Sequence, residues 1–129
     1  MRYLLLISIL LTGCVPGGPI NIEFRWEKKP GEFVPCRDAG VGQIDYEITD
    51  EDDDVVQSGS LMPCTDHFIT YVETKGQHNI HIIGQKLIKD GEDIIAVKKW
   101  ETVCENLIVD GVDSLEAPPY YCEIWKIRN

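Results

Sequence analysis

Ile20-Asn21-Ile22-Glu23-Phe24-Arg25-Trp26-Glu27 carries an apolar residue at every even position and a polar or charged one at every odd position. Successive strand residues point to opposite faces, so this period of two buries Ile20, Ile22, Phe24 and Trp26 together and wets the other side. Lys28-Lys29-Pro30-Gly31 then turns the chain. The same grammar recurs outward from there. Ile44, Tyr46 and Ile48 alternate with Asp45, Glu47 and Thr49, Asp50 to Asp54 form an acidic turn, and Val55-Val56-Gln57-Ser58 begins a return strand. After Met62-Pro63-Cys64 come Phe68 to Val72, a turn at Lys75-Gly76, and Asn79 to Ile83. Lys89-Asp90-Gly91-Glu92 is a hairpin signal, because Asp-Gly suits the positive-φ positions of a tight turn, and Ile94 to Trp100 pairs back across it. Cys104 to Val109, a turn at Asp110-Gly111, a break at Pro118-Pro119 and Tyr120 to Ile127 complete the chain. No run shows sustained helical periodicity with caps. Seven to eight short strands separated by turn signals predict an all-β antiparallel sandwich.

The first fourteen residues, MRYLLLISILLTGC, read differently. Arg2 gives a positive flank, Tyr3 to Leu11 an apolar run broken only by Ser8, and Leu11-Thr12-Gly13-Cys14 a small-residue site before a cysteine. A bilayer-spanning helix needs about 20 apolar residues, roughly twice this run, and Pro16-Gly17-Gly18-Pro19 ends any helix at once. The stretch resembles a bacterial lipoprotein signal peptide with Leu11 to Cys14 as its lipobox. That resemblance implies a signal peptide over 1–13, acyl chains on Cys14, a tether over 14–19 and a domain over 20–129. Several acyl chains hold a protein at a membrane almost permanently. Val15 stands where an aspartate marks inner-membrane retention in enteric bacteria, which points to the outer membrane of the cell envelope.

The chain has 129 residues, and removing 13 leaves 116, enough for one domain with a modest core. The formal net charge of −10 argues against nucleic acid, whose binding needs cations on the phosphates, and against polybasic docking on anionic lipid. Of the five cysteines, Cys14 is assigned to lipid. The other four, Cys36, Cys64, Cys104 and Cys122, are an even number in an exported chain, which predicts two disulfides. Their spacings contain no C-x-x-C pair and match no zinc template. Four cysteines allow three connectivities, of which the sequential one, Cys36–Cys64 with Cys104–Cys122, is expected. Each bridge contributes roughly 3–4 kcal/mol on the chain-entropy model.

Cys36, Ala39-Gly40-Val41, the strand Ile44 to Ile48, Pro63-Cys64, Phe68 to Val72, Gly76 and Ile80 to Ile83 follow an order similar to small secreted and lipidated domains of myxobacteria and their relatives. Those domains look like immunoglobulin-like or transthyretin-like sandwiches, such as carboxypeptidase regulatory domains and Cna-B repeats. The resemblance covers residues 20–100 and implies the fold and the first disulfide. It carries no active site across. Gly76-Gln77-His78 departs from the usual Gly-x-Tyr, and Cys104 and Cys122 lie beyond the pattern.

Asp50, Asp52 and Asp54 offer carboxylates at alternate positions, but Val55 and Leu61 stand where an EF-hand loop needs Gly and Glu, so a solvated turn is expected there. His78 and His81 fall on opposite strand faces, and with His67 they are expected to be independent surface or edge residues. Ser58-Gly59-Ser60 lacks the second glycine of a nucleophile elbow. No catalytic, metal or cofactor site is expected. Tyr121, Trp125 and Ile127 share one face of the last run, and Cys122 and Ile124 with Tyr120 the other, which suggests a central strand or one covered by a partner. Exposed aromatics suit contact with glycan or protein. The expectation is a non-catalytic, lipid-anchored binding or scaffolding module whose contact surface includes Trp125 and Tyr121 or the turn with Asp50, Asp52 and Asp54. An inhibitor or accessory factor of an envelope hydrolase is the alternative.

Overall fold

The computed structural model describes residues 17–109 and 119–128. The lipobox, Cys14, the start of the tether, the Asp110-Gly111 turn and Pro118 lie outside the described residues. The described part contains β1 (Gly18–Lys29), β2 (Glu32–Val34), a one-turn α1 (Cys36–Ala39), β3 (Gln43–Thr49), β4 (Val55–Leu61), β5 (His67–Val72), β6 (Gly76–Asp90), β7 (Asp93–Val109) and β8 (Tyr120–Ile124). They form two four-stranded sheets, the all-β sandwich expected from the alternation.

The faultless stretch becomes the centre of one sheet. Ile22 pairs with both Phe68 of β5 and Tyr120 of β8, and Trp26 with both Val34 of β2 and Ile124 of β8. One edge of β1 therefore takes β5 and β2, and the other takes β8. That last pairing is parallel, whereas every other strand pair among the described residues is antiparallel. The second sheet runs β4-β3-β6-β7. Between the sheets lie Ile20, Ile22, Phe24 and Trp26 of β1, Ile44 and Ile48 of β3, Ile80 and Ile82 of β6, Trp100 of β7 and Ile124 of β8, all at most 2% exposed. Each such side chain contributes roughly 1.5–3 kcal/mol by leaving water. Trp26 meets Trp100 edge to face at 6.0 Å. Gly84 makes room for them, since a Cβ there would stand 2.5 Å from the Trp26 ring.

Both disulfides take the sequential arrangement. Cys36–Cys64 ties α1 to the loop between β4 and β5, and Cys104–Cys122 staples β7 to β8 across the two sheets. Four features differ from the sequence reading. β2 and α1 are each too short to show a period, and α1 is closed by Gly40 at φ 87°, whose N–H reaches the carbonyls of Cys36 and Arg37. β1 begins at Gly18, within the stretch read as tether, and pairs Gly18 with Val72. β7 is one strand of 17 residues carrying two bulges, one of them at Asn106 with φ 65°. The β6–β7 loop is Gly91-Glu92, and the positive φ falls on Gly91 rather than Asp90.

Candidate functional site

β8 stops at Ile124, and the chain then leaves its own sheet to pair with the outer edge of β7 in the other. Trp125 N–H donates to Thr102 Oγ1 at 2.8 Å, Glu101 N–H donates to the Trp125 carbonyl at 3.1 Å, and Ile127 N–H donates to the Lys99 carbonyl at 2.8 Å. A buried carboxylate beneath them fixes this crossing. Glu27 Oε1 accepts from the Lys126 N–H at 3.0 Å, while its Oε2 accepts from Gly31 N–H at 3.2 Å and from Arg128 at 2.8 Å. Burial on its own pushes the Glu27 carboxyl upward, yet the Gly31 and Lys126 amides and the Arg128 guanidinium outweigh it and hold the group below the usual carboxylate range. The backbone carbonyl of Glu27 also accepts from Trp100 Nε1 at 2.7 Å.

This latch sets the ring of Trp125 on the surface. It packs edge-on against Phe33 of β2 at 5.1 Å and keeps 49% of its surface exposed. Tyr121 is 73% exposed, in register with Glu23 on the outer face of the β1 sheet. Tyr121 and Trp125 therefore do not share a strand face, because the chain changes sheets between them. Nor is the last strand central. Among the described residues β8 is an edge strand: Cys122 and Ile124 point into the core, Tyr121 and Glu123 point outward, and Tyr120 stays partly exposed as its hydroxyl accepts from Ile108 N–H.

The acidic turn sits at the other end of the sandwich. Thr49 is level with Asn79 of β6, whereas Trp125 is level with Glu101 and Ile83, four residues or about 14 Å further along. Asp50, Asp52 and Asp54 bring carboxylate oxygens within 4.8 Å of one another. Asp50 is already engaged, since its Oδ1 accepts from the N–H groups of Asp52 and Asp54 at 2.9 and 3.0 Å. Glu51 accepts from Gln77 N–H at 2.9 Å and so ties the turn to the start of β6. Two of the five residues in this acidic run organise backbone, and an open cleft of about 240 Å³ beside it is lined by Asp50, Glu51, Asp53, Gln77 and Asn79.

The histidines are not all surface residues. His78 is 1% exposed, with Nδ1 against the Gly76 carbonyl at 3.0 Å and Nε2 against Thr74 Oγ1 at 2.8 Å. With both nitrogens paired the ring can sit in the core. His81 faces outward against Glu101 Oε2 at 2.6 Å, and His67 meets Asn21 on the β1 sheet. Lys98 and then His81 hold the Glu101 carboxyl below its usual range.

Sequence reasoning missed Glu27 and Phe33, the two residues that place Trp125. The first looks like one more outward-facing charge, and only a tail a hundred residues later buries it. The second lies in a three-residue strand.

No family model matches this chain, and no curated protein matches it. Among solved structures it is similar to the fimbrial anchor protein Mfa2 from Porphyromonas gingivalis, at 12% identity and a TM-score of 0.47 over 85% of this chain. The chain spans about half the length of that protein, 49%. A likeness this distant assigns neither family nor function.

Proposed function

We propose that this chain is a non-catalytic binding or scaffolding module, held at the cell envelope by acyl chains on Cys14, that meets an envelope glycan or protein through Trp125. The observation that carries the reading is the half-exposed Trp125 ring, held in place from three sides. Phe33 fixes its tilt, and the backbone on either side of it is bonded to β7 and to Glu27. A ring immobilised before contact loses little entropy on binding, which is what makes a rigid aromatic an efficient anchor. The acidic turn supports contact less well, because Asp50 and Glu51 are occupied with backbone amides. Lipidation and an outer-membrane address rest on Leu11 to Cys14 and Val15.

Capture from envelope extract and on isolated cell-wall glycan tests the reading, with the full chain as bait. Trp125→Ala should lose capture, whereas Asp52→Asn with Asp53→Asn should retain it. Capture by wild type should change little as salt rises, since an apolar contact is not screened. Loss in the turn variant together with steep salt dependence would move the contact to the acidic turn.

A further inference from the structure

The β6–β7 hairpin runs past the sandwich. β3 leaves β6 at the Gln43–Gln85 pair, and from Lys86 to Lys98 the two strands pair only with each other among the described residues. Leu87, Ile88, Ile94 and Ile95 on this arm are 39%, 44%, 71% and 44% exposed. An unpaired edge beside apolar side chains is a template for another strand. The outer edge of β6 is shadowed by the 40–42 loop, where Gly42 N–H donates to the Gln85 carbonyl at 2.8 Å and the Leu87 side chain lies over Gly42. Among the described residues the edge of β7 is open from Asp93 to Lys98 and ends where Ile127 N–H takes the Lys99 carbonyl.

With the turn residue before it and Lys99 after it, that edge reads Glu92-Asp93-Ile94-Ile95-Ala96-Val97-Lys98-Lys99, with acids first, apolar residues in the centre and bases last. Such an order is complementary to itself when run antiparallel. We propose that a second copy of this chain pairs here, β7 edge to β7 edge, about a two-fold axis at Ile95. Joining the same edge of two identical strands places opposite each other only residues that point to the same face, so the axis falls on a residue rather than between two. Centred on Ile95, the pairing sets Ile95 against its own copy, Ile94 against Ala96, and Glu92 against Lys98 twice over, with Lys99 diagonal to Asp93. Centring on Ala96 would oppose Ile94 to Lys98. Lys98 also reaches Glu101 of its own chain at 2.9 Å, and its three donors serve both carboxylates.

Charge selects this occupant over two others. Copies of a chain at −10 repel, but residues 86–99 hold four lysines against three carboxylates, so the arm is where repulsion is weakest. A bilayer suits it poorly, because Asp90, Glu92 and Asp93 crowd the tip. A foreign basic or acidic strand would match only one half of the edge. A seven-residue pairing falls short of the roughly 1,200 Å² of a standard interface, so it relies on confinement at one membrane to raise the effective concentration. For that confinement the pairing rests on the anchoring proposed above.

The test uses the full chain in its own membranes, with Ile95→Cys oxidised mildly and Ile69→Cys as control. Ile69 is equally exposed, at 45%, but on the outer face of β5 in the other sheet. The Ile95→Cys chain should give cross-linked dimers and the Ile69→Cys chain few. Adding Glu92→Lys or Lys98→Glu to Ile95→Cys should in each case lower cross-linking about tenfold, both pairs having turned from attraction to repulsion. Co-expressing the two charge variants with different tags should restore the mixed dimer, a rescue that misfolding cannot mimic. Three results would each overturn the pairing. One is cross-linking of Ile95→Cys no better than that of Ile69→Cys, and another is indifference to the charge changes. The third is a thiol in Ile95→Cys that is shielded from a membrane-impermeant maleimide without cross-linking. Palmitate labelling of the same cells reads the anchor separately. If the chain proves unlabelled, the purified full chain at millimolar concentration puts the pairing to the same cross-linking test.

Discussion

Replacing Glu27 with Gln should unfasten the C-terminal crossing and show what the buried carboxylate is worth. Its two oxygens accept three N–H groups, from Gly31, Lys126 and Arg128, at 3.2, 3.0 and 2.8 Å, and the side chain is 0% exposed. A hydrogen bond to a charged group contributes about 1.5–3 kcal/mol net. Glutamine keeps one acceptor and turns its amide against the remaining donors, so about two such bonds are lost, and roughly 3 kcal/mol is expected. For a domain of this size, about 4 °C per kcal/mol converts that into a fall of about 12 °C in Tm at pH 7. The assay is thermal unfolding of both proteins across pH. Because the folded pKa is depressed, the carboxylate's contribution is complete above the ordinary carboxylate pKa of about 4.3 and drains away as pH falls through the folded value. The gap between wild type and variant should therefore be widest at neutral pH and close in acid. A Tm within about 2 °C of wild type at pH 7, or a gap that persists unchanged in acid, would refute the reasoning.

Gly84→Ala should cost about 1–3 kcal/mol, read by urea unfolding, because the new methyl meets the Trp26 ring at 2.5 Å and both tryptophans are fully buried. Asp50→Ala should lose about 1–2 kcal/mol with its two backbone bonds, while Asp52→Asn with Asp53→Asn should stay within about 0.5 kcal/mol of wild type in the same assay. Cys14→Ser should abolish labelling by a palmitate analogue and block processing of the precursor, and equal labelling of mutant and wild type would contradict the anchor.

The sheets were legible because burial follows local alternation. Ile20 to Trp26, Ile44 to Ile48 and Ile80 to Ile82 obey period two, and a strand packed on one face needs nothing else to declare itself. What stayed hidden depends on distant partners. Alternation says which face of β6 is apolar but not where β3 stops, so the projection of the arm past Gln85 was unreadable, although Leu87-Ile88 and Ile94-Ile95 place apolar residues on both faces there. His78 looked like a surface group because its two acceptable partners, Gly76 and Thr74, become visible only when the turn before β6 is built. For the last run the alternation of Tyr121 to Ile127 was real, but it assumed a straight strand. Glu27 draws Lys126 and Arg128 over the end of the sandwich, and the strand breaks at Trp125. Trp125 and Tyr121 were both singled out from sequence as aromatics near the C-terminus, whereas the support that positions Trp125 was not.

The contact assigned to Trp125 is tested most directly by collisional quenching of tryptophan fluorescence. Trp26 and Trp100 are 0% exposed and Trp125 is 49% exposed, so acrylamide should quench one emitter of three, and Trp125→Phe should remove nearly all of that quenching. Adding saturating cell-wall glycan or envelope extract to the wild-type chain should protect Trp125 and bring its quenching down to the level of the Trp125→Phe protein. Quenching of wild type that is unchanged by the envelope material, while the material demonstrably binds the chain, would contradict the account.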